Sequence, residues 1–313
     1  MKHFFSTLKN VSIEGLDNEF IEIIPGVNLT KDIKTINRIL TPEICAIIGG
    51  IETNVIMNSN AFVYYEYEDH EDDFQNHSNL QILEFVLIWI DDVLKNSWLL
   101  KDNAMVIDSA YLIDNSIVDV EAATLRLQYQ FTQANGTYNE IELNKSELME
   151  LIKLHHEIES YLHGKNSGST SFMLEKNFSR IGRSLQFIKQ AREARNLAYK
   201  TSNYCSALET IFSTDNAELS HKLSERVAFF LSPKFDKLKT FKIIKKAYAI
   251  RSKLTHGDYL EQKQIENLGE LSVEIDILLR EAFLKIFYDK TLLALFDSDK
   301  SKIDVYFESL IFQ

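Results

Sequence analysis

Proline occurs only three times in this chain of 313 residues, at Pro25, Pro42 and Pro233, and glycine ten times. Proline removes a backbone donor and clashes inside a helix, so its scarcity leaves most segments free to run as long helices or strands. Hydrophobic residues make up 45% of the chain and charged residues 26%, enough apolar material for a globular core. The length suggests two domains of ordinary size.

No run of eighteen or more apolar residues occurs. The best candidate, from Leu80 to Leu100, contains Glu84, Asp91, Asp92 and Lys95, which argues against a transmembrane span. The start, Met1-Lys2-His3-Phe4-Phe5, lacks the sustained apolar stretch of a signal peptide. Cys45 and Cys205 lie far apart with no CxxC pattern, as expected of free thiols in a reducing cytoplasm.

Residues 1 to 165 read as a mixed α/β domain. Phe20 to Ile24 reads as a short strand closed by Pro25-Gly26, and Asn54 to Tyr67 has the composition of a strand or hairpin. Leu80 to Leu94 shows helical spacing. Ala104 to Ile113 and Thr124 to Thr132 return to strand character, and Asn135-Gly136 suggests a hairpin completed by Tyr138 to Leu143. From Lys145 the pattern is helical almost throughout. Gly164 to Thr170 is the most linker-like stretch, and residues 170 to 313 form the second domain. Helices are expected near 172–190, 192–213, 217–231, 237–256, 263–288 and 301–312. The fold class is therefore α+β, with a mixed N-terminal domain followed by an all-α bundle.

Net charge is −12, which excludes coating of nucleic acid by bulk electrostatics. Distribution matters more than the sum. Between Lys234 and Lys253 lie seven lysines and Arg251 against a single acid, Asp236. Within that segment Tyr248-Ala-Ile-Arg-Ser-Lys-Leu-Thr-His-Gly257 reads as the end of an amphipathic helix, with Gly257 suited to the left-handed capping conformation. His256 sits in the last turn, where the helix dipole favours a cation. Arg251 lies five residues earlier, about 140° around an ideal helix. Histidine supplies a proton acceptor and donor near neutral pH, and arginine a planar fork for a phosphate. Such a pair suits RNA cleavage by the neighbouring 2′-hydroxyl without a metal.

Three blocks in order, Tyr204-Cys-Ser-Ala-Leu-Glu-Thr-Ile-Phe212, Glu218-Leu-Ser-His-Lys-Leu-Ser-Glu-Arg-Val-Ala-Phe-Phe-Leu231 and Tyr248 to Gly257, resemble the Apea-like branch of the HEPN families over about residues 195–290. The resemblance implies a helical bundle, usually dimeric, and an endoribonuclease of an antiviral or toxin system. It implies Arg251 and His256 as catalytic residues, with Glu209 holding the arginine. It also implies an RNA substrate, a homodimer through the helical domain and no cofactor. Two positions depart from the family pattern. Ser252 follows the arginine, and Asp258 stands two residues beyond the histidine where some members carry a modified tyrosine, so an antitoxin acting by nucleotidyl transfer is not implied.

Lys242, Lys245, Lys246 and Lys253 are candidates for an RNA-tracking face, or simply the solvated side of the helix. The alternative function is a non-catalytic module that binds RNA or a nucleotide. The run Glu66 to Asp73 and the group His155, His156, Glu159 and His163 carry potential metal ligands, but the first reads as a solvated loop and the second as chance surface histidines. No metal site is expected. The N-terminal domain matches no catalytic motif, and sensing of a trigger, contact with an antitoxin or effector subunit, and holding the dimer together are the roles open to it.

Overall fold

The computed structural model describes the chain except residues 1, 17–18, 68–73, 75, 115–120, 127–129, 166–172, 174, 176–177, 216–217 and 313, and the side chain of residue 108. The chain divides into two compact units. The first comprises Met1–Ser97, Asn103–Gln130 and Tyr138–His155. The second takes His156–Gln313 together with two short stretches, Trp98–Asp102 and Phe131–Thr137. The linker-like run beginning at Gly164 lies largely outside the described residues.

The first unit is built on strands β1 (Lys2–Lys9), β2 (Val11–Glu14), β3 (Phe20–Ile24), β4 (Val27–Thr30), β5 (Phe62–Tyr67), β6 (Val106–Asp114), β7 (Glu121–Arg126) and β8 (Ile141–Asn144). Six of them form an antiparallel sheet in the order β3-β4-β5-β1-β6-β7. Central β1 is buried on both faces: Phe4 and Phe5 point in opposite directions, yet neither is exposed. On the Phe5 face, short helices α1 (Ile33–Ile39), α2 (Pro42–Ile48) and α3 (Gly50–Met57) bring Ile36, Ile39, Ile44 and Ile56 against Phe62, Tyr64, Tyr111 and Ile113. The long helix α4 (Asn79–Asn96) starts in a Ser78–Gln81 capping box and buries Leu83, Val86, Leu87 and Ile90.

Two expectations for this unit are corrected. Residues 54–57 belong to α3, so the strand begins only at Phe62. Val55 and Ile56 supply strand composition, but Ile56 faces the core from a helix. Ile141–Asn144 does not close a hairpin over Asn135-Gly136. It pairs in parallel with Val11–Glu14, from Val11↔Ile141 to Glu14↔Asn144. The turn itself forms, with Gly136 at φ +82°, but its flanks Phe131–Thr137 pack in the second unit.

The second unit is helical: α5 (Lys145–Gly164) enters it, followed by α6 (Arg180–Glu193), α7 (Leu197–Phe212), α8 (Leu219–Phe230), α9 (Lys237–His256), α10 (Gln262–Glu266), α11 (Leu268–Tyr288), α12 (Lys290–Phe296) and α13 (Lys300–Ile311). The helix expected over 263–288 is broken at Asn267, and α12 is an additional element. One core runs through the unit, with Tyr204, Leu208, Phe212, Phe230, Ile244, Ile275, Leu279 and Phe283 fully or almost fully buried.

Inside this core lies a polar cluster. The Asp276 carboxylate accepts hydrogen bonds from Trp98 Nε1 at 2.5 Å, Tyr204 Oη at 3.1 Å and Arg280 Nε at 2.9 Å. Lys200, wholly buried, donates to the Ala191 carbonyl at 2.7 Å. The Asp102 carboxylate accepts from the Ala134 amide, and Thr132 Oγ1 donates to the Arg192 carbonyl. Burial and the neighbouring Asp276 charge push Asp102 up to about 6. Burial, then Arg192, pull Lys200 down to about 7. This network fastens 98–102 and 131–137 to the bundle, because Asp276 and the Arg192 carbonyl find donors in those two stretches.

Candidate functional site

Helix α9 carries most of the residues singled out from sequence. Asp236 caps its start by accepting the Lys239 amide at 2.6 Å. Its end is a glycine-capped turn: Gly257 adopts φ +75°, its amide reaches the Leu254 carbonyl, and the Asp258 amide reaches Lys253. Between these caps Ile243, Ile244, Ala247 and Ile250 face the core.

Angular position divides the remaining side chains into two groups. At about 100° per residue, Lys242, Lys245, Lys246, Lys253 and His256 fall within an arc of about 100°. The first three lysines and His256 are exposed. Lys245 lies 5.8 Å from the Phe241 ring. Lys253 is half-buried and tied to Gln264 at 2.8 Å and to Glu261 at 3.6 Å. His256 makes no hydrogen bond or ion pair among the described residues.

Arg251 lies on the other side of the helix, toward α7. Its Nη2 meets Glu209 Oε2 at 2.9 Å, and its guanidinium sits 5.8 Å from the Tyr248 ring. Glu209 is placed by the last turn of α7, one step from the core residue Leu208. Burial raises its carboxyl above the usual carboxylate range, and Arg251 partly offsets that. The second oxygen, Oε1, is buried and has no hydrogen-bond partner. Beside the pair opens a cavity of about 350 Å³ whose lining includes Ser206, Thr210, Ser213, Thr214 and Lys300. Thus Arg251 and Glu209 share one site, whereas His256 and the lysines share another face of the same helix.

Lys300 and the hydroxyls of the 206–214 segment were not foreseen. Lys300 comes from α13, some 50 residues beyond Arg251, and no local pattern announces that approach. Arg226, within the second sequence block, is a clamp: it donates to the Phe212 carbonyl at 2.8 Å and pairs with Asp304 at 2.5 Å.

The other candidates lie apart. Residues 68–73 of the acidic run are outside the described residues. His155 is buried and hydrogen-bonded to Asn96 at 3.0 Å, whereas His156 and His163 are exposed. Among the described residues no group of three or more His, Cys, Asp or Glu is placed to hold a metal ion. Nor is any helix long and apolar enough to cross a membrane. Cys205 is buried and Cys45 half-buried, both as free thiols. Comparison with protein-family models, curated proteins and solved structures found no match.

Proposed function

We propose that the helical unit is a metal-independent endoribonuclease of the HEPN type, acting as a homodimer in an antiviral or toxin setting in the cytoplasm. One observation carries the reading: on a chain of net charge −12, exposed lysines and His256 are gathered on one stripe of α9. Lysines at 242, 245 and 246 attract the phosphate backbone, and the helix C-terminus presents the imidazole at the end of that track. In the proposed reaction His256 takes the proton of a ribose 2′-hydroxyl. The 2′-oxygen then attacks the adjacent phosphorus, and the P–O5′ bond breaks. The leaving 5′-oxygen takes up a proton, and the products are a 2′,3′-cyclic phosphate and a 5′-hydroxyl. An arginine is needed on the phosphate as charge develops. Within one chain Arg251 is turned about 140° from His256 and engaged by Glu209, so a second copy is the source from which a converging arginine would come.

That same turn favours a second reading, a module that binds RNA or a nucleotide without cutting it. The two separate in one assay. Structured RNA incubated with the full chain in EDTA is expected to yield fragments with cyclic phosphate ends. A mobility shift with intact RNA supports the binding module instead.

A further inference from the structure

The first unit carries a concavity of about 590 Å³ that no sequence motif announced, whose lining includes His3, Phe20, Asn28, Arg38, Tyr64 and Glu66. Strand register puts the strand-borne residues on one face. His3 lies opposite Glu66, Tyr64 two residues from Glu66, and Asn28 opposite Tyr64. Phe20 lies opposite Thr30, which shares the face of Asn28. Helix α1 packs Ile36 and Ile39 onto this face and leaves Arg38 at the rim.

Three of these residues, His3, Tyr64 and Glu66, form a polar cluster. The Tyr64 hydroxyl bonds His3 Nδ1 at 3.1 Å, and Glu66 Oε1 lies 3.7 Å from the same nitrogen. Nδ1 thus faces two oxygens, and because an ionised carboxylate only accepts, the ring proton is placed on Nδ1. His3 Nε2 is then left as an acceptor. Burial holds the imidazole below its ordinary range, which keeps it neutral, and burial with the Glu66 charge pushes Tyr64 up to about 12.

The aromatic groups add a platform. The His3 ring lies nearly parallel to Tyr64 at 6.3 Å and 21°, and Phe20 meets Tyr64 edge-on at 6.3 Å and 61°. Phe20 is nevertheless 44% exposed, an apolar ring at the rim of a polar cavity. The Glu66 carboxylate is directed at His3 Nδ1. Arg38 is exposed and makes no salt bridge or hydrogen bond among the described residues, so it is the cation left to answer a ligand. Arg38 offers one exposed positive charge, and the Glu66 carboxylate in the same lining opposes a second negative charge on a ligand.

We propose that this cavity binds a planar aromatic monoanion of the aryl carboxylate class. The ring packs against Phe20 and Tyr64, the carboxylate meets the Arg38 guanidinium, and a ring N–H or O–H donates to His3 Nε2. This site is independent of the ribonuclease reading. Calorimetric titration of the full chain with benzoate, 4-hydroxybenzoate and indole-3-acetate tests it, with acetate and tetramethylammonium as controls. At least one aromatic acid is expected to bind with Kd of about 1 mM or tighter, and about tenfold more weakly to Arg38→Ala and to Phe20→Ala. Both positions lie at the surface, so each variant should keep the wild-type circular dichroism spectrum. No binding by any of the three acids, binding undiminished in either variant, or preference for acetate or tetramethylammonium overturns the proposal.

Discussion

At the residue scale, the Arg251–Glu209 pair is the clearest electrostatic feature of α9. Each partner is mostly buried, with side-chain exposures of 29% and 13%. Removing either leaves the other poorly solvated without its counter-charge. Glu209→Ala and Arg251→Ala should each lower stability by about 1–3 kcal/mol. The double variant should lose less than the two single losses combined, as read by urea unfolding. Strict additivity would mean that the pair contributes no coupling. Asp102 gives a second test, through pH. An ordinary aspartate titrates at 3.8, but folded Asp102 is raised to about 6 by burial and by Asp276. Between those values the folded state holds a proton that the unfolded chain has released. Its contribution to stability is therefore present at low pH and declines as pH rises through that window. Relative to Asp102→Asn, the wild type should lose about 1–3 kcal/mol between pH 4 and pH 6. A difference that is flat with pH would contradict the assignment.

At the element scale, α9 was legible in sequence almost to the residue because its signals are local. Asp236 and Gly257 are capping residues, and the apolar spacing between them holds one period throughout. Gly257 stands at φ +75° with open space around its Cα, so Gly257→Ala meets backbone strain rather than a clash. It should cost about 1 kcal/mol in thermal unfolding. The short helices α1 to α3, of seven or eight residues each, were not legible. Pieces that short carry few apolar repeats, and their Ile, Val and Thr content reads as strand. The lysine stripe and its angular separation from Arg251 were visible in the spacing, but the pairing of Arg251 with Glu209 required the packing of α9 against α7. Charge reversal of Lys242, Lys245 and Lys246 together should weaken RNA binding. It should also reduce the slope of log affinity against log salt by about 2 for a single strand. An unchanged slope would make the stripe merely a solvated face.

At the scale of the whole molecule, sequence pattern conveyed the α+β class and the helical C-terminal region, while the long-range pairings escaped it. The parallel β2–β8 pair joins residues about 130 apart in the chain, and nothing near Val11 or Ile141 encodes that partner. The same holds for the buried polar cluster, where Trp98 reaches Asp276 and Thr132 reaches Arg192. Because the helical unit includes Trp98–Asp102 and Phe131–Thr137, a fragment of residues 156–313 alone would leave buried polar groups such as Asp276 short of a donor. That fragment should unfold at a markedly lower temperature than the full chain, as measured by circular dichroism. Equal thermal stability would show that the two stretches contribute nothing.

The ribonuclease reading rests on one imidazole at the end of a basic stripe, so its most direct measurement is the single-turnover rate of RNA cleavage in EDTA for wild type and His256→Ala. Because His256 is exposed and makes no hydrogen bond or ion pair among the described residues, the substitution should leave the fold intact. The account predicts cleavage by the wild type and a fall of about 10²- to 10⁴-fold in the variant, the range for loss of a general acid–base group. No cleavage by the wild type, or an unchanged rate in the variant, would contradict it.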